Sequence, residues 1–207
     1  ASDVYKRQAH MSAALLGYAC DRQSRAEYGI DHIHPVFVQR STAMSTHSHT
    51  LASHGEILAN LPGILGFYPN NSLILAFFVD DEGVDTVRLG PVARFDLDEA
   101  VEKLTESRER FAAWVHHLEL DAVIAYMISD DIAQPVFDET ATYLTSGASP
   151  LPPLLGVVQV PEIVTGAAWW SVYQHPLIDE PRHGVVGEVA ASAALQQMLD
   201  HTGELPE

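Results

Sequence analysis

The chain has 207 residues, 47% of them hydrophobic, and a formal net charge of −17 at pH 7. This composition suits one globular domain, and the charge disfavours nucleic acid and anionic membranes, which would repel it. No apolar run approaches the ~18 residues that a membrane-spanning helix needs. Because no cysteine follows Cys20, we expect a cytoplasmic protein without disulfides. Its partner is then a small molecule or a protein, and the composition indicates neither a cofactor nor an oligomeric state.

The first 43 residues differ from the rest of the chain in charge and pattern. They carry a net charge of +1, which leaves −18 for residues 44–207. Ser2–Gln8 includes the peptide DVYKRQ, which resembles a translated sequencing adaptor. No sustained period of 2 or 3.6 follows it, and an alternative lipoprotein signal ending at Cys20 has an apolar core of only seven residues. We predict that residues 1–43 are a non-native or disordered extension, and that 44–207 form a single α/β domain starting at Met44.

The first predicted elements of that domain are a short helix and a buried strand. Ser53, with Glu56 three residues later, has the spacing of a capping box. The helix that follows contains Pro62, which shortens or bends it, and Gly66 is placed to end it. Leu73–Val79 is apolar throughout, which is typical of a central strand covered on both faces.

A turn at Asp80–Gly83 leads into a second strand and a long helix. Val87–Phe95 alternates in polarity and contains Pro91, which cannot donate to a ladder, so this strand is at an edge or is bulged there. The two strands form a predicted hairpin. Asp96 with Glu99 is a second capping-box pair, and it predicts a helix of about twenty residues.

The second half of the chain continues the alternation of strands and helices. The predicted elements are a strand at Ala122–Ile128, a helix from Gln134 to Ser146, strands at Leu154–Val160 and Trp169–Tyr173, and a helix at Glu188–His201. The element order α-β-β-α-β-α-β-β-α predicts an α/β fold with a mixed sheet and helices on both faces.

Three motifs together resemble one known family. They are L-P-x-x-L-G-F-x-P-x-x-S-L at residues 61–73, R-x-D-L at 94–97 and W-W-S at 169–171. Through them the chain resembles, over roughly residues 50–207, the actinobacterial family called domain of unknown function 4192. The resemblance implies a cytoplasmic α/β protein with no established activity. Members of that family usually continue beyond the position of Glu207, so we expect a C-terminal truncation.

Two places in the sequence suggest a binding site. Arg94 lies in the R-x-D-L motif, and it could pair with Asp96 or with a carboxylate of a ligand. In the aromatic strand, alternation places Trp169, Ser171 and Tyr173 on one face and Trp170 on the other, so that one tryptophan fills the core and the other lines a pocket or an interface. Residues 175–187 are polar and contain glycine and proline, which is typical of a mobile loop over a site. The predicted ligand-binding residues are Arg94, Asp96, Trp170, Ser171 and His183, with no catalytic residue and no metal ligand.

Other interpretations of the same residues stay open. Ser171 or Ser72 with His183 would supply the residue types of a serine hydrolase, although the chain has no G-x-S-x-G motif. The chain could also be a structural fragment of a longer protein. The histidines, such as His54, have no spacing that is diagnostic of a zinc site.

Acidic residues follow both predicted interior strands, at 80–82 and at 130–131. If those strands are parallel neighbours, their carboxylates meet at one edge of the sheet and could hold Mg²⁺ or Ca²⁺. The alternative is that Asp80 and Asp81 belong to a turn and that Asp131 caps a helix.

Overall fold

The computed structural model describes residues 53–80, 87–203 and 205–206, together with the backbone of three short strands nearer the N-terminus. The strands are β1 (Ala13–Leu15), β2 (His34–Val36), β3 (Thr50–Leu51), β4 (Ser72–Asp80), β5 (Val87–Asp96), β6 (Ala122–Ile128), β7 (Leu154–Val160), β8 (Ala168–Gln174) and β9 (His183–Val185). The helices in this part are α1 (His54–Leu65), α2 (Ala100–Glu106), α3 (Arg108–His117), α4 (Gln134–Thr145) and α5 (Ala193–Thr202). Most of the predicted extension 1–43 and of the predicted turn at 80–83 lies outside the described residues.

The strands form one mixed sheet. Its main order is β5-β4-β6-β7-β8-β9, with β1 and β2 pairing along the other side of β5 and β3 pairing with β1. Strands β6 and β7 are parallel, and the other neighbours among β4 to β9 are antiparallel. The predicted central strands, β4 and β6, lie side by side in the middle of this order. The predicted α/β fold with a mixed sheet is confirmed.

Helices cover both faces of the sheet, which separates two hydrophobic clusters. The first cluster joins side chains of α1 and α5 to alternate residues of β4, such as Ile74 and Phe78. The second joins side chains of α2, α3 and α4 to the intervening residues of β4, such as Leu73 and Phe77. Residues 73–79 of β4 are all apolar because both faces of the strand are covered.

The predicted boundaries of α1 are confirmed by its caps. Ser53 Oγ accepts a hydrogen bond from the backbone N–H of Glu56 at 3.3 Å. Gly66 ends the helix with a φ of 79°, and its N–H donates to the carbonyl of Pro62. The helix continues past Pro62 to Leu65 and has 12 residues.

Pro91 produces a bulge in β5, as the sequence predicts. Ala76 pairs with Val92 and Phe78 with Leu89, so that two residues of β5 face one residue of β4. A proline is accommodated there because the bulge interrupts the ladder to which its missing N–H would have donated.

The predicted single helix after β5 is wrong in two respects. Asp96 does not cap it, because Asp96 is the last residue of β5 and its carboxylate pairs with Arg94. The helical segment also divides at Ser107 into α2 and α3. In α3, Phe111 packs against Phe77 of the sheet, with ring centroids 6.1 Å apart.

The condition for the acidic groups to meet at one sheet edge, a parallel arrangement of β4 and β6, is not met. Strands β4 and β6 are antiparallel, with Ser72 opposite Ile128 and Phe78 opposite Ala122. The C-terminal ends of β4 and β6 therefore lie at opposite ends of the sheet. Asp131 is not the cap of α4, because Ala133 occupies that position.

Two features near the C-terminus differ from the prediction. Strand β9 lies inside the segment 175–187 that the sequence predicted to be a loop. Helix α5 begins after Ser192, whose Oγ accepts from the N–H of Leu195, rather than at Glu188. None of the described helices is both long and apolar enough to cross a bilayer.

Candidate functional site

Motif residues at the ends of β4 and β5 form a network of hydrogen bonds. Arg94 Nε donates to Ser72 Oγ at 3.0 Å, and the Arg94 guanidinium also pairs with the Asp96 carboxylate. Ser72 Oγ donates to the carbonyl of Asn70 at 2.6 Å. The network joins the turn before β4 to the end of β5.

Asn71 extends the network to Ser129, the residue that follows β6. Its φ of 45° is in the left-handed region, which asparagine tolerates better than most residues. Its side-chain oxygen accepts from Ser129 Oγ, and its carbonyl accepts from the N–H of Leu97 at 2.8 Å. Ser129 Oγ in turn accepts from the N–H of Ile132 at 2.9 Å. We call Asn71, Ser72, Arg94, Asp96 and Ser129 the Arg94 network.

The other predicted binding residues lie on β8 and β9. Trp170 is the register partner of His183, and Trp170 is 41% exposed while Trp169 is buried. One tryptophan therefore fills the core and the other is on the surface. Ser171 Oγ donates to the carbonyl of Tyr173 at 2.9 Å.

The structure does not bring the two predicted groups together. Arg94, Ile74, Tyr126, Val158 and Ser171 form one row of register partners across the sheet. Four strand spacings separate the ends of this row, which corresponds to about 19 Å between Arg94 and Ser171. The predicted residues therefore divide between two distant places.

The serine and histidine of the hydrolase interpretation do not meet either. Ser171 shares its sheet face with Val158, whereas His183 shares the opposite face with Trp170. Ser72 lies four strand spacings from β9, about 19 Å away.

The predicted alternation along β8 fails after Ser171. Val158 pairs with Ser171 but Val157 pairs with Tyr173, which leaves Val172 as an extra residue. This bulge turns Tyr173 towards the second hydrophobic cluster, whereas Trp169 belongs to the first.

A buried polar cluster lies beneath the β8–β9 connection, residues 175–182. His54, which is 5% exposed, has its Nδ1 3.2 Å from the hydroxyl oxygen of Tyr126. Its Nε2 is 3.5 Å from a carboxylate oxygen of Glu180. The indole of Trp169 meets the imidazole edge-on, with ring centroids 5.1 Å apart. We call these four residues the His54 cluster.

Burial sets the protonation states in the His54 cluster. It lowers the pKa of His54 to about 4, so that the imidazole is neutral at pH 7 and its contact with Glu180 is not an ion pair. Burial, and secondarily the charge of Glu180, raises the pKa of Tyr126. Burial also raises the pKa of Glu180. Because an ionised Glu180 can only accept, the imidazole proton lies on Nε2 and Tyr126 donates to Nδ1.

Gln174 forms two hydrogen bonds to the β8–β9 connection, which lies over this cluster. Its side-chain amide donates to the carbonyl of Ile178 at 2.8 Å and to that of Glu180 at 3.0 Å. Its Oε1 is buried and has no hydrogen-bond partner among the described residues.

Two glycines allow the hairpin and α1 to approach closely around the His54 cluster. A Cβ on Gly55 would lie 2.3 Å from the carbonyl oxygen of Val185. A Cβ on Gly184 would lie 2.7 Å from the indole of Trp169. A larger residue at Gly55 would force the hairpin away from the helix, and one at Gly184 would displace the indole of Trp169.

In the sequence, His54 stands out only as a candidate metal ligand, and neither Tyr126 nor Glu180 belongs to a motif. Tyr126 lies in an apolar run, although it carries the one hydroxyl in β6. That hydroxyl in the middle of a buried strand was the available signal, because a buried tyrosine needs a hydrogen-bond partner. Among the described residues, no three His, Cys, Asp or Glu side chains are grouped as a metal site would require.

An open groove of about 600 Å³ lies elsewhere, between α3 and the segment that leads into β7. Its walls include His116, Glu119 and the prolines Pro150, Pro152 and Pro153. It contains no residue of the Arg94 network, of the His54 cluster or of the predicted site.

The comparisons with known proteins give one match. Residues 55–207 match the family model described as Domain of unknown function (DUF4192). The matched span begins one residue after His54, and it includes both the Arg94 network and the β8–β9 hairpin. No curated protein and no solved structure matches the chain. Because the family model covers most of its length, the chain belongs to the DUF4192 family.

Proposed function

We propose that this domain is a cytoplasmic binding module that recognises another protein through the outer face of its β8–β9 hairpin. This outer hairpin face consists of Trp170, His183 and Val185, and the exposed Val172 lies two residues beyond Trp170 on β8. The observation that carries the proposal is the exposure of three apolar residues on one hairpin: Trp170 is 41% exposed, Val172 43% and Val185 59%.

The register makes a continuous surface of these side chains. Trp170 pairs with His183 and Ala168 with Val185, so the side chains of Trp170, His183 and Val185 project from the same face. The second hydrophobic cluster covers this side of the sheet as far as Val157 and Tyr173, and the outer hairpin face lies beyond it. A contiguous exposed apolar area of this kind is typical of an interaction site.

The chemistry of the surface favours a protein partner over a small molecule. Tryptophan is the residue type most enriched among interface positions that dominate binding energy. The face is an open sheet surface, whereas small ligands are generally bound in concave pockets. Since the chain carries a net charge of −17, a basic partner is electrostatically favoured.

A non-catalytic role also fits the separation of Ser171 from His183 on opposite faces. The serine-hydrolase alternative needs these two side chains within hydrogen-bond reach of each other. The alternative of a structural fragment gives no reason for the exposed Trp170.

The experiment places a photo-crosslinking residue at position 185 of the full chain in its native cells. The same residue at Tyr68, which is 43% exposed in the turn after α1, is the control. We expect a crosslinked protein from position 185 that is absent from position 68. Purified, that protein should bind the native chain in a salt-sensitive way, and Trp170→Ala should weaken binding by about thirtyfold, as for a central interface residue. Equal crosslinking from both positions, or an affinity unchanged by Trp170→Ala, would refute the proposal.

A further inference from the structure

The inner face of the same hairpin covers the His54 cluster, and we propose that this cluster is a second binding site, for a small carboxylate ligand. In the structure the carboxylate of Glu180 occupies the place of the ligand's carboxylate, and the β8–β9 connection closes the site. The proposal concerns the opposite face of the hairpin from the partner-binding surface and does not depend on it.

Stability alone does not account for the cluster. Its surroundings are the first hydrophobic cluster, where residues such as Ile124 and Val158 are almost wholly buried. Placing an imidazole and a carboxyl group there costs desolvation energy, and well-packed apolar side chains in place of buried ionisable pairs are often at least as stable. An arrangement that is costly for folding is expected where the groups have another use.

The two inner members of the cluster are fixed on regular structure. Tyr126 is in the middle of β6 and is fully buried, and His54 is the first residue of α1. The hydroxyl of Tyr126 fixes the imidazole so that the Nε2–H points away from the strand, towards Glu180. A neutral N–H donor held in one orientation is suited to receive a carboxylate oxygen.

Glu180 differs from them because it belongs to an irregular connection. Its side chain is 19% exposed, against 5% for His54, so the cluster approaches solvent through Glu180. Within the connection, the Gln174 amide holds the carbonyls of Ile178 and Glu180. Ile178 also packs on the first hydrophobic cluster. Backbone hydrogen bonds from the N–H of His175 and to the carbonyl of Arg182 fix the two ends of the connection. Movement of this short segment would withdraw the carboxylate, which is 3.5 Å away, from His54 Nε2.

Gln174 indicates which second functional group the ligand carries besides its carboxylate. Its Oε1 is a buried acceptor without a partner among the described residues, and it belongs to the same amide that holds the carbonyl of Glu180. A ligand that enters beside it would satisfy this acceptor with a hydroxyl or ammonium group. The fitting class is therefore a small hydroxy- or amino-carboxylate.

The experiment is a titration of the native chain with lactate, followed through the imidazole resonances of His54 by NMR. Isopropanol is the control that lacks a carboxylate. Chloride at the same ionic strength is the control for a general effect of anions. We expect a saturable shift of the His54 signals with lactate and none with either control. Glu180→Ala, which removes the competing carboxylate, should bind lactate at least tenfold more tightly than the native chain, whereas Asp179→Asn on the same connection should match it.

The outcomes separate a ligand site from a fixed structural contact. Lactate binding to Glu180→Ala but not to the native chain would mean that Glu180 is a permanent part of the core, and it would overturn the proposal. Absence of binding to both proteins would overturn it as well. Should Glu180→Ala prove unfolded by circular dichroism, Glu180→Gln provides the same comparison, because it keeps the shape of the side chain and weakens the acceptor.

Discussion

The Arg94 network and the His54 cluster both place polar side chains among buried apolar residues, but by different means. In the Arg94 network, hydrogen bonds such as Arg94 to Ser72 join the ends of neighbouring strands, next to a carboxylate, Asp96, that is 54% exposed. In the His54 cluster, a neutral imidazole and a carboxylate face each other in the core, and burial shifts the pKa of both. The first arrangement stabilises the fold, whereas the second is maintained against a desolvation cost. Of the three motifs, R-x-D-L supplies the pair that joins the strand ends, whereas the buried ionisable groups His54 and Glu180 belong to none of them.

The largest expected effect is a difference in stability loss between alanine substitutions of the two tryptophans in the W-W-S motif. Trp169→Ala should lower the free energy of unfolding by about 4 kcal/mol, because it leaves a cavity against His54 and removes the bond from the indole N–H to the carbonyl of Val185. The measurement is urea denaturation followed by circular dichroism. Trp170→Ala is the matched control. It should change the free energy of unfolding by less than about 0.5 kcal/mol, because the Trp170 side chain is 41% exposed to solvent. Similar losses for both variants would contradict the assignment of inner and outer faces.

The next effect is a loss of stability in acid caused by His54. Burial lowers the pKa of His54 from 6.5 to about 4, so between these values the unfolded chain binds a proton that the folded chain does not. Stability conferred by the neutral imidazole is therefore complete above pH 6.5 and is lost as the pH falls towards 4. The loss should be about 3 kcal/mol at 1.36 kcal/mol per pKa unit. Urea midpoints measured from pH 7 to pH 4 test it.

Two variants test whether this pH dependence of stability comes from the His54 cluster. His54→Phe should flatten the dependence between pH 6.5 and 4, because no imidazole remains to be protonated at the site. Arg94→Ala should lower stability yet keep the native slope. If His54→Phe retained the native slope, the acid sensitivity would belong to other residues.

A smaller effect tests the Arg94 network. Asn71→Ala should cost about 2 kcal/mol, because alanine is strained at a φ of 45° and cannot accept from Ser129. Asn71→Gly removes only the side-chain bond and should cost about 1 kcal/mol. Thermal melts of the two variants measure the difference. Equal losses would show that the backbone conformation contributes nothing at this position.

Much of the architecture was accessible from the sequence because it depends on local chemistry. Two apolar runs of strand length indicate strands covered on both faces, as β4 and β6 prove to be. Ser53 and Gly66 mark the ends of α1 through backbone requirements that few residues meet. Pro91 indicates a bulge because it lacks an N–H group.

The His54 cluster could not be predicted in this way, because its members are distant in sequence. His54 and Tyr126 are 72 residues apart, and Glu180 reaches them only because the β8–β9 connection passes over α1. Hydrophobic runs show that strands are buried but not their direction, so the antiparallel pairing of β4 with β6 was also inaccessible. The bulge at Val172 has no proline or glycine to mark it, and it reversed the predicted side of Tyr173.

The smallest expected effect bears most directly on the difference between the two clusters. Glu180→Gln keeps an acceptor for His54 Nε2–H but removes the charge, so the variant should be at least as stable as the native chain at pH 7. Burial raises the pKa of Glu180 above 4.5, so the native carboxyl takes up a proton earlier in the folded state as the pH falls. This uptake stabilises the native fold in acid and offsets part of the loss caused by His54. Glu180→Gln should therefore lose stability more steeply than the native chain as the pH falls below 6.5, in the same urea measurements. A variant clearly less stable at pH 7 would mean that the charged carboxylate strengthens the fold, as an ordinary structural contact would, and the two clusters would then be alike.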